Sequence, residues 1–257
     1  MDEIKALSQQ RFGQYADRYV HHQTLAKGAG VAEIIALAAL EPDHRVLDIA
    51  TGGGHTALAL APYVHQVIAT DLSTKMLGAA RSNHQQSDVH NLHYVNHDAE
   101  RFPFPDDHFD RVTCRVAPHH FPDIFRFVLE STRVLKSGGW LIVQDLYVPE
   151  EERAARYCDA IEKYRDPSHH RMWSESEWRG AFLDAGLTVA HTAHLTQRAN
   201  MEAWAKVQDC TPYQIERLHL LLAQAPDPVR AWWNPTCIGT PDAEIDHVYL
   251  LIGGIKS

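Results

Sequence analysis

The chain predicts an α/β protein built on a doubly wound parallel sheet, and three features predict it. Short apolar runs alternate with helical stretches as far as Leu146, a glycine-rich turn (Thr51-Gly52-Gly53-Gly54) follows the first such run, and helices dominate after Pro149. Strands joined by helical crossovers give a parallel sheet with right-handed connections.

Each element has a local reason. Arg45 to Ala50 is a strand ended by the glycines, and Ala57 to Ala61 carries alanine and leucine at helical spacing. Gln66 to Leu72 is a second strand; Ser73 or Thr74 caps a helix through Met76, Leu77, Ala80 and Arg81. Leu92 to Asp98 and Phe109 to Val116 are strands by their β-branched and aromatic content. A helix is expected from about 123 to 135, closed by a glycine C-cap at Lys136-Ser137-Gly138-Gly139, with Trp140 to Leu146 as a fifth strand. Beyond it, Glu150 to Tyr164 reads as a helix and Ser174-Glu175-Ser176-Glu177 opens another through a capping box. Leu187 to Thr196 reads as a strand. Thr211-Pro212-Tyr213-Gln214 starts a helix with cap, N1 proline and N3 partner, inside an insertion spanning about 198–240 before a last strand at His247 to Ile255.

Composition narrows the function. The 257 residues carry 33 acidic and 24 basic side chains, a net charge of −9, which argues against a nucleic-acid partner because that affinity rests on lysine and arginine displacing counterions. A chain this long buries roughly three quarters of its unfolded surface, so it needs neither disulfide nor structural metal. Cys114, Cys158, Cys210 and Cys237 form no CxxC pair, and the start Met1-Asp2-Glu3 is acidic where a secretory signal is basic. We therefore expect a cytoplasmic protein with no membrane partner, a monomer or homodimer, in one domain over 1–257. The 18 histidines stand out, with pairs at His21-His22, His119-His120 and His169-His170.

Ligands of open α/β sheets sit beyond the carboxyl ends of the strands, so the residues after each strand define the site. After the first come Asp48 and the glycines, where absent side chains let backbone N–H groups approach a ligand. After the second comes Asp71, suited to a ribose diol; after the third, Asp98-Ala99, suited to an adenine edge. The spacing of Gly52, Gly54 and Ala57 also fits a dinucleotide-binding turn. An NAD(P)-dependent oxidoreductase is thus an alternative, weakened by the lack of a Tyr-x-x-x-Lys pair.

The segments 46–61, 67–77, 96–121 and 133–145 together resemble motifs I, post-I, II and III of class I S-adenosylmethionine-dependent methyltransferases, in the branch that includes the ubiquinone and menaquinone C-methyltransferases. The resemblance implies a Rossmann-like seven-stranded sheet with an antiparallel last strand, a cofactor core at about 40–147, and acceptor-binding and lid segments at about 1–30, 148–175 and 198–240. It implies S-adenosylmethionine held by Asp48, Gly52 and Gly54, with Ala50 in the same turn, at the methionine end, Asp71 at the ribose, Leu72 and Met76 on the adenine face, Asp98 and Ala99 at its edge, and Arg115 toward the amino-acid moiety. The family usually has glycine where this chain has Ala50, so altered packing is expected there. A non-catalytic S-adenosylmethionine-binding regulator is a further alternative.

Ala117-Pro118-His119-His120-Phe121 replaces the Asn/Asp-Pro-Pro-aromatic motif of the amide and adenine N-methyltransferases, so C- or O-methylation of a small molecule is favoured. His119 and His120 are candidate bases, and a matched histidine base contributes on the order of 10²–10⁴ in rate. The stretch from Arg165 to Trp173 packs cationic and aromatic groups suited to an anionic or phenolic acceptor. It offers His169 as a further catalytic candidate and His169, His170 and Arg171, with Tyr19, as substrate contacts. Tyr15, His22, Trp204 and Tyr213 are lid candidates. Asp145 and the histidines lack a metal-ligand spacing, and no metal is expected.

Overall fold

The computed structural model describes residues 3–21, 30–85 and 87–257, without the side chains of 17–21. Eight strands form one sheet: β1 (Arg45–Ile49), β2 (Gln66–Asp71), β3 (Leu92–Asn96), β4 (Phe109–Arg115), β5 (Leu135–Val148), β6 (Trp173–Ser174), β7 (Leu187–Asn200) and β8 (Glu244–Lys256). The order is β3-β2-β1-β4-β5-β8-β7, with the two-residue β6 beside the end of β5. Strands β1 to β5 pair in parallel, while β8 runs antiparallel to both β5 and β7. This is the expected seven-stranded architecture plus β6, which is too short to leave a periodic signal. The chain winds outward from β1 through β3 and returns to β4 on the other side of β1, so a crevice forms beyond β1 and β4.

The helices are α1 (Glu3–His21), α2 (Val31–Ala38), α3 (His55–Leu60), α4 (Thr74–His84), α5 (Ile124–Val134), α6 (Glu152–Arg165), α7 (Glu175–Asp184), α8 (Met201–Val207), α9 (Pro212–Ala223) and α10 (Asp227–Trp233). Both sheet faces are covered, which is why the central strands read as nearly unbroken apolar runs. On one face Leu47, Ile49 and Val112 pack against Phe127 and Val128 of α5 and Trp178 and Phe182 of α7. On the other, Val46, Val67 and Ile142 meet Ile34 of α2 and Ala57 and Leu60 of α3. A third cluster joins Leu146 and Val148 to Cys158, Met201, Leu218, Leu222 and Val229, fastening α6 and α8 to α10 to the sheet's far end. Among the described residues no helix is long and apolar enough to cross a membrane.

The expected capping boxes at Ser174/Glu177 and Thr211/Gln214 are formed, and Ser73 caps α4 by accepting from the Met76 N–H at 3.3 Å. The glycine C-cap is corrected. Helix α5 ends at Val134 and passes directly into β5, whose pairing with β4 jumps from Phe109↔Leu135 to Arg111↔Trp140. The residues between bulge outward, with Gly138 at φ +75°, and a Cβ on Gly139 would lie 2.8 Å from the Lys136 carbonyl. A left-handed glycine serves a bulge as readily as a cap. Strands β7 and β8 extend as a long ribbon, so residues 198–200 are strand where insertion was expected.

Candidate active site

A cavity of about 520 Å³ opens at the carboxyl ends of β1, β2 and β4, a volume typical of small-molecule sites. Of the expected cofactor residues, Asp48, Ala50, Gly52, Asp71, Leu72, Met76, Asp98, Ala99 and Arg115 line it, and Gly54 does not.

Strand β1 ends by turning through Ala50 at φ +50°, a left-handed conformation that glycine adopts freely and alanine with strain. The departure at this position is therefore a matter of backbone conformation more than of packing. Buried Asp48 fastens the turn: its carboxylate accepts from the Thr51 hydroxyl at 2.6 Å and the Thr113 hydroxyl at 2.7 Å. Burial pushes its pKa up, and those hydroxyls and the nearby Arg115 oppose the shift. The Arg115 Nε donates to the Thr56 hydroxyl at 2.9 Å. Asp71 accepts from the Gly52 N–H at 3.1 Å through one oxygen and from the Ser73 N–H at 2.8 Å through the other, bridging the turns after β1 and β2. Burial raises its pKa to about 6, against the pull of those two bonds.

Helix α1 roofs this end. Lys5 donates to Asp98 at 2.7 Å and pairs with Glu100, Gln9 donates to the Leu72 carbonyl at 2.9 Å, and Phe12 meets the His120 ring edge-on at 4.8 Å. The sequence reading missed Lys5, Gln9 and Phe12, because their partners lie far along the chain and leave no local pattern. Tyr15 is buried under Arg11 and does not line the cavity. The Tyr19 side chain and His22 lie outside the described residues.

His119 and His120 occupy a single 3₁₀ turn between β4 and α5. Both line the cavity. Asp145, 1% exposed, accepts from the His119 backbone N–H at 2.7 Å and faces its Nδ1 at 2.6 Å. Burial drives the two apart in pKa, Asp145 up to about 8 and His119 down to about 3. The pair therefore holds one extra proton between those values and is net neutral. His120 donates from Nδ1 to the Ser168 carbonyl at 2.9 Å, and burial lowers its pKa to about 3.

The remaining expected substrate contacts do not reach the cavity. His169 is buried behind His119, stacked at 5.6 Å, with Nε2 on Asp159 at 2.8 Å. The backbone N–H groups of His170 and Arg171 donate to the His119 carbonyl, while the Arg171 side chain pairs with Glu177 over the Trp173 ring. Of the stretch from Arg165 to Trp173, residues 169–173 buttress the His119 turn from outside. Its first two residues do line the cavity. Arg165 stacks on Trp204 at 4.4 Å and pairs with Glu162, and Asp166 holds Ser168 through one oxygen while the other is buried without a hydrogen-bond partner among the described residues. Trp204, His247 and Tyr249 complete this wall, and Tyr213 is exposed on α9.

Residues 47–143 match the family described as a methyltransferase domain. The uncharacterized methyltransferase YcgJ of Bacillus subtilis (strain 168) is 41% identical over 195 residues, 76% of this chain and 77% of YcgJ. A crystal structure of the YcgJ protein superposes with a TM-score of 0.84 at 34% identity, covering 88% of this chain and 97% of that one. The ubiquinone/menaquinone biosynthesis C-methyltransferase UbiE of Shewanella frigidimarina (strain NCIMB 400) is 33% identical over 129 residues, 49% of this chain and only 51% of UbiE. A geranyl diphosphate C-methyltransferase from Streptomyces coelicolor, crystallised with S-adenosyl-L-homocysteine, shares the fold at 14% identity and a TM-score of 0.62 over 88% of this chain and 78% of that one. The chain belongs to the S-adenosylmethionine-dependent methyltransferases, and S-adenosylmethionine is its cofactor.

Proposed function

We propose that the protein methylates a small, uncharged organic acceptor at oxygen or carbon, with His119 as the base and Asp145 orienting it. The observation that carries this reading is the buried His119/Asp145 pair in the wall of the cavity that also receives the glycine turn.

The cavity fits the cofactor. A Cβ on Gly52 would meet only Met76 Cε at 3.8 Å, so the bare backbone leaves a cradle there, and each Asp71 oxygen makes one backbone bond and keeps lone pairs for a ribose diol. In this reading Gly52 and Asp48 hold the methionine end, Leu72 and Met76 flank the adenine, and Asp98 and Ala99 meet its edge under Lys5. When bound, S-adenosylmethionine supplies an electrophilic methyl whose carbon–sulfur bond breaks with its electrons left on sulfur.

The rest falls to the protein. Its walls and the α1 roof hold the acceptor in line and exclude water. With Nδ1–H directed at Asp145, His119 has Nε2 available to take the acceptor's proton as the new bond forms. The cavity's cations are already matched among the described residues: Lys5 by Asp98 and Glu100, Arg165 by Glu162, Arg198 by Glu244 and Asp246, and Arg115 by the charge of Asp48. That pairing favours an uncharged acceptor over an anionic one.

Incubation with methyl-labelled S-adenosylmethionine and a panel of small phenols, acidic C–H compounds, carboxylates and amines tests the proposal. Label should pass to phenolic oxygen or activated carbon. Transfer confined to amines or carboxylates would overturn it.

A further inference from the structure

Gly54 belongs to the glycine turn yet faces away from the cavity, and what it faces has no part in the chemistry above. Its φ is +79°, and a Cβ there would lie 2.5 Å from Cε1 and 2.6 Å from Nε2 of His84, the last residue of α4. The glycine is demanded from behind, by an imidazole that is 5% exposed.

That imidazole is held at both nitrogens. Its Nε2 lies 3.1 Å from the Gly54 carbonyl and its Nδ1 is bonded to the Tyr94 hydroxyl of β3. A carbonyl can only accept, so Nε2 carries the proton and Nδ1 accepts from Tyr94. The neighbouring Asn83 donates from Nδ2 to the Gly53 carbonyl at 3.4 Å. Two successive carbonyls of the turn are thus bonded by residues of α4 that do not line the cavity, while the Gly52 N–H is held by Asp71, which does. The Gly54 carbonyl also receives the Leu58 N–H at 2.9 Å, so the same point anchors the first turn of α3.

We infer that His84, held in one tautomer by Tyr94, is a positioning residue for the cofactor turn: it fixes the Gly54 carbonyl from behind so that the turn presents its backbone to the methionine end of S-adenosylmethionine. The inference rests on the cofactor site described above and assigns His84 no contact with cofactor or acceptor.

The test measures S-adenosylhomocysteine affinity by isothermal titration, together with KM for S-adenosylmethionine, kcat and Tm, for wild type, His84→Leu, His84→Gln and Tyr94→Phe. Leucine fills the space without a donor, and glutamine restores an N–H at about the reach of Nε2. Losing one buried hydrogen bond of this kind corresponds to about a tenfold change. His84→Leu should therefore raise Kd and KM for the cofactor about tenfold and leave kcat at saturating cofactor within about twofold. His84→Gln should recover most of the affinity, and Tyr94→Phe should fall between it and His84→Leu. Native affinity in His84→Leu, or equal losses in His84→Leu and His84→Gln, would overturn the inference. If His84→Leu does not fold, the glutamine and Tyr94→Phe variants decide: both must retain cofactor binding, with Tyr94→Phe the weaker. Wild type failing to bind S-adenosylhomocysteine would instead refute the cofactor site itself.

Discussion

The His119/Asp145 pair makes a prediction that follows from counting protons. With one extra proton the pair is net neutral, but both imidazole nitrogens are then protonated, or the shared proton sits on Asp145 and the imidazole's own hydrogen on Nε2. In neither arrangement does Nε2 have a lone pair to offer. The base becomes competent when the pair loses that proton, at the upper value of about 8 set by the burial of Asp145. With an acceptor whose own pKa is above about 10, kcat/KM at saturating cofactor should rise tenfold per pH unit below about 8 and level off above it. Asp145→Asn sharpens the test. Its amide oxygen can still accept the His119 backbone N–H, but its NH₂ then faces Nδ1 and selects the Nε2–H tautomer. The base is lost at every pH, a drop on the order of 10²–10⁴. Stability should move the other way. A folded pKa raised above the unfolded value gives stability that is full below the unfolded value of about 4 and is lost as pH rises to about 8, so the variant's Tm advantage should grow between those values and level off above about 8. A flat pH profile, or wild-type turnover in a folded Asp145→Asn protein, would refute the base assignment.

Three other perturbations follow from the same coordinates. Ala50→Gly relieves a left-handed alanine, worth ~1–2 kcal/mol, against ~0.5–1 kcal/mol of added chain entropy; thermal melts should show a net gain of about 0.5–1 kcal/mol, about 1–4 °C. A loss of stability would show that the strain is absorbed elsewhere. Asp71 has a raised pKa of about 6, so its carboxylate gains a proton as pH falls through that value and gives up acceptor lone pairs; S-adenosylhomocysteine should bind about tenfold more weakly at pH 5 than at pH 7.5, and pH-independent binding would remove it as a ribose contact. Trp204→Ala removes an acceptor-side wall that also supports Arg165, so KM for the acceptor should rise several-fold with cofactor affinity unchanged, and a parallel loss of cofactor affinity would place Trp204 in the wrong half of the cavity.

The legible parts of this molecule were those encoded locally. Strands β1, β2, β4 and β5 announce themselves as largely apolar runs because both sheet faces are covered, and the capping boxes at Ser174 and Thr211 are complete within four residues. Nine of ten expected cofactor residues line the cavity because the winding of the sheet puts successive strand ends together. What was not legible depended on contacts that no local pattern encodes. Gly138 could be a cap or a bulge, and only the register with β4 decides. The stretch from His169 to Trp173 has the composition of a binding surface, yet Asp159 and Glu177 turn its polar groups away from the cavity. Lys5 sits 93 residues from the carboxylate it meets, and nothing in α1 alone announces that contact.

The central claim is that this cavity binds S-adenosylmethionine through the strand-end residues, and isothermal titration of S-adenosylhomocysteine into wild type and Asp71→Ala tests it most directly. A single saturable site in wild type, weakened at least tenfold by the substitution while NAD gives no heat, is the predicted result. No heat with S-adenosylhomocysteine, or equal affinity in the two proteins, would contradict it.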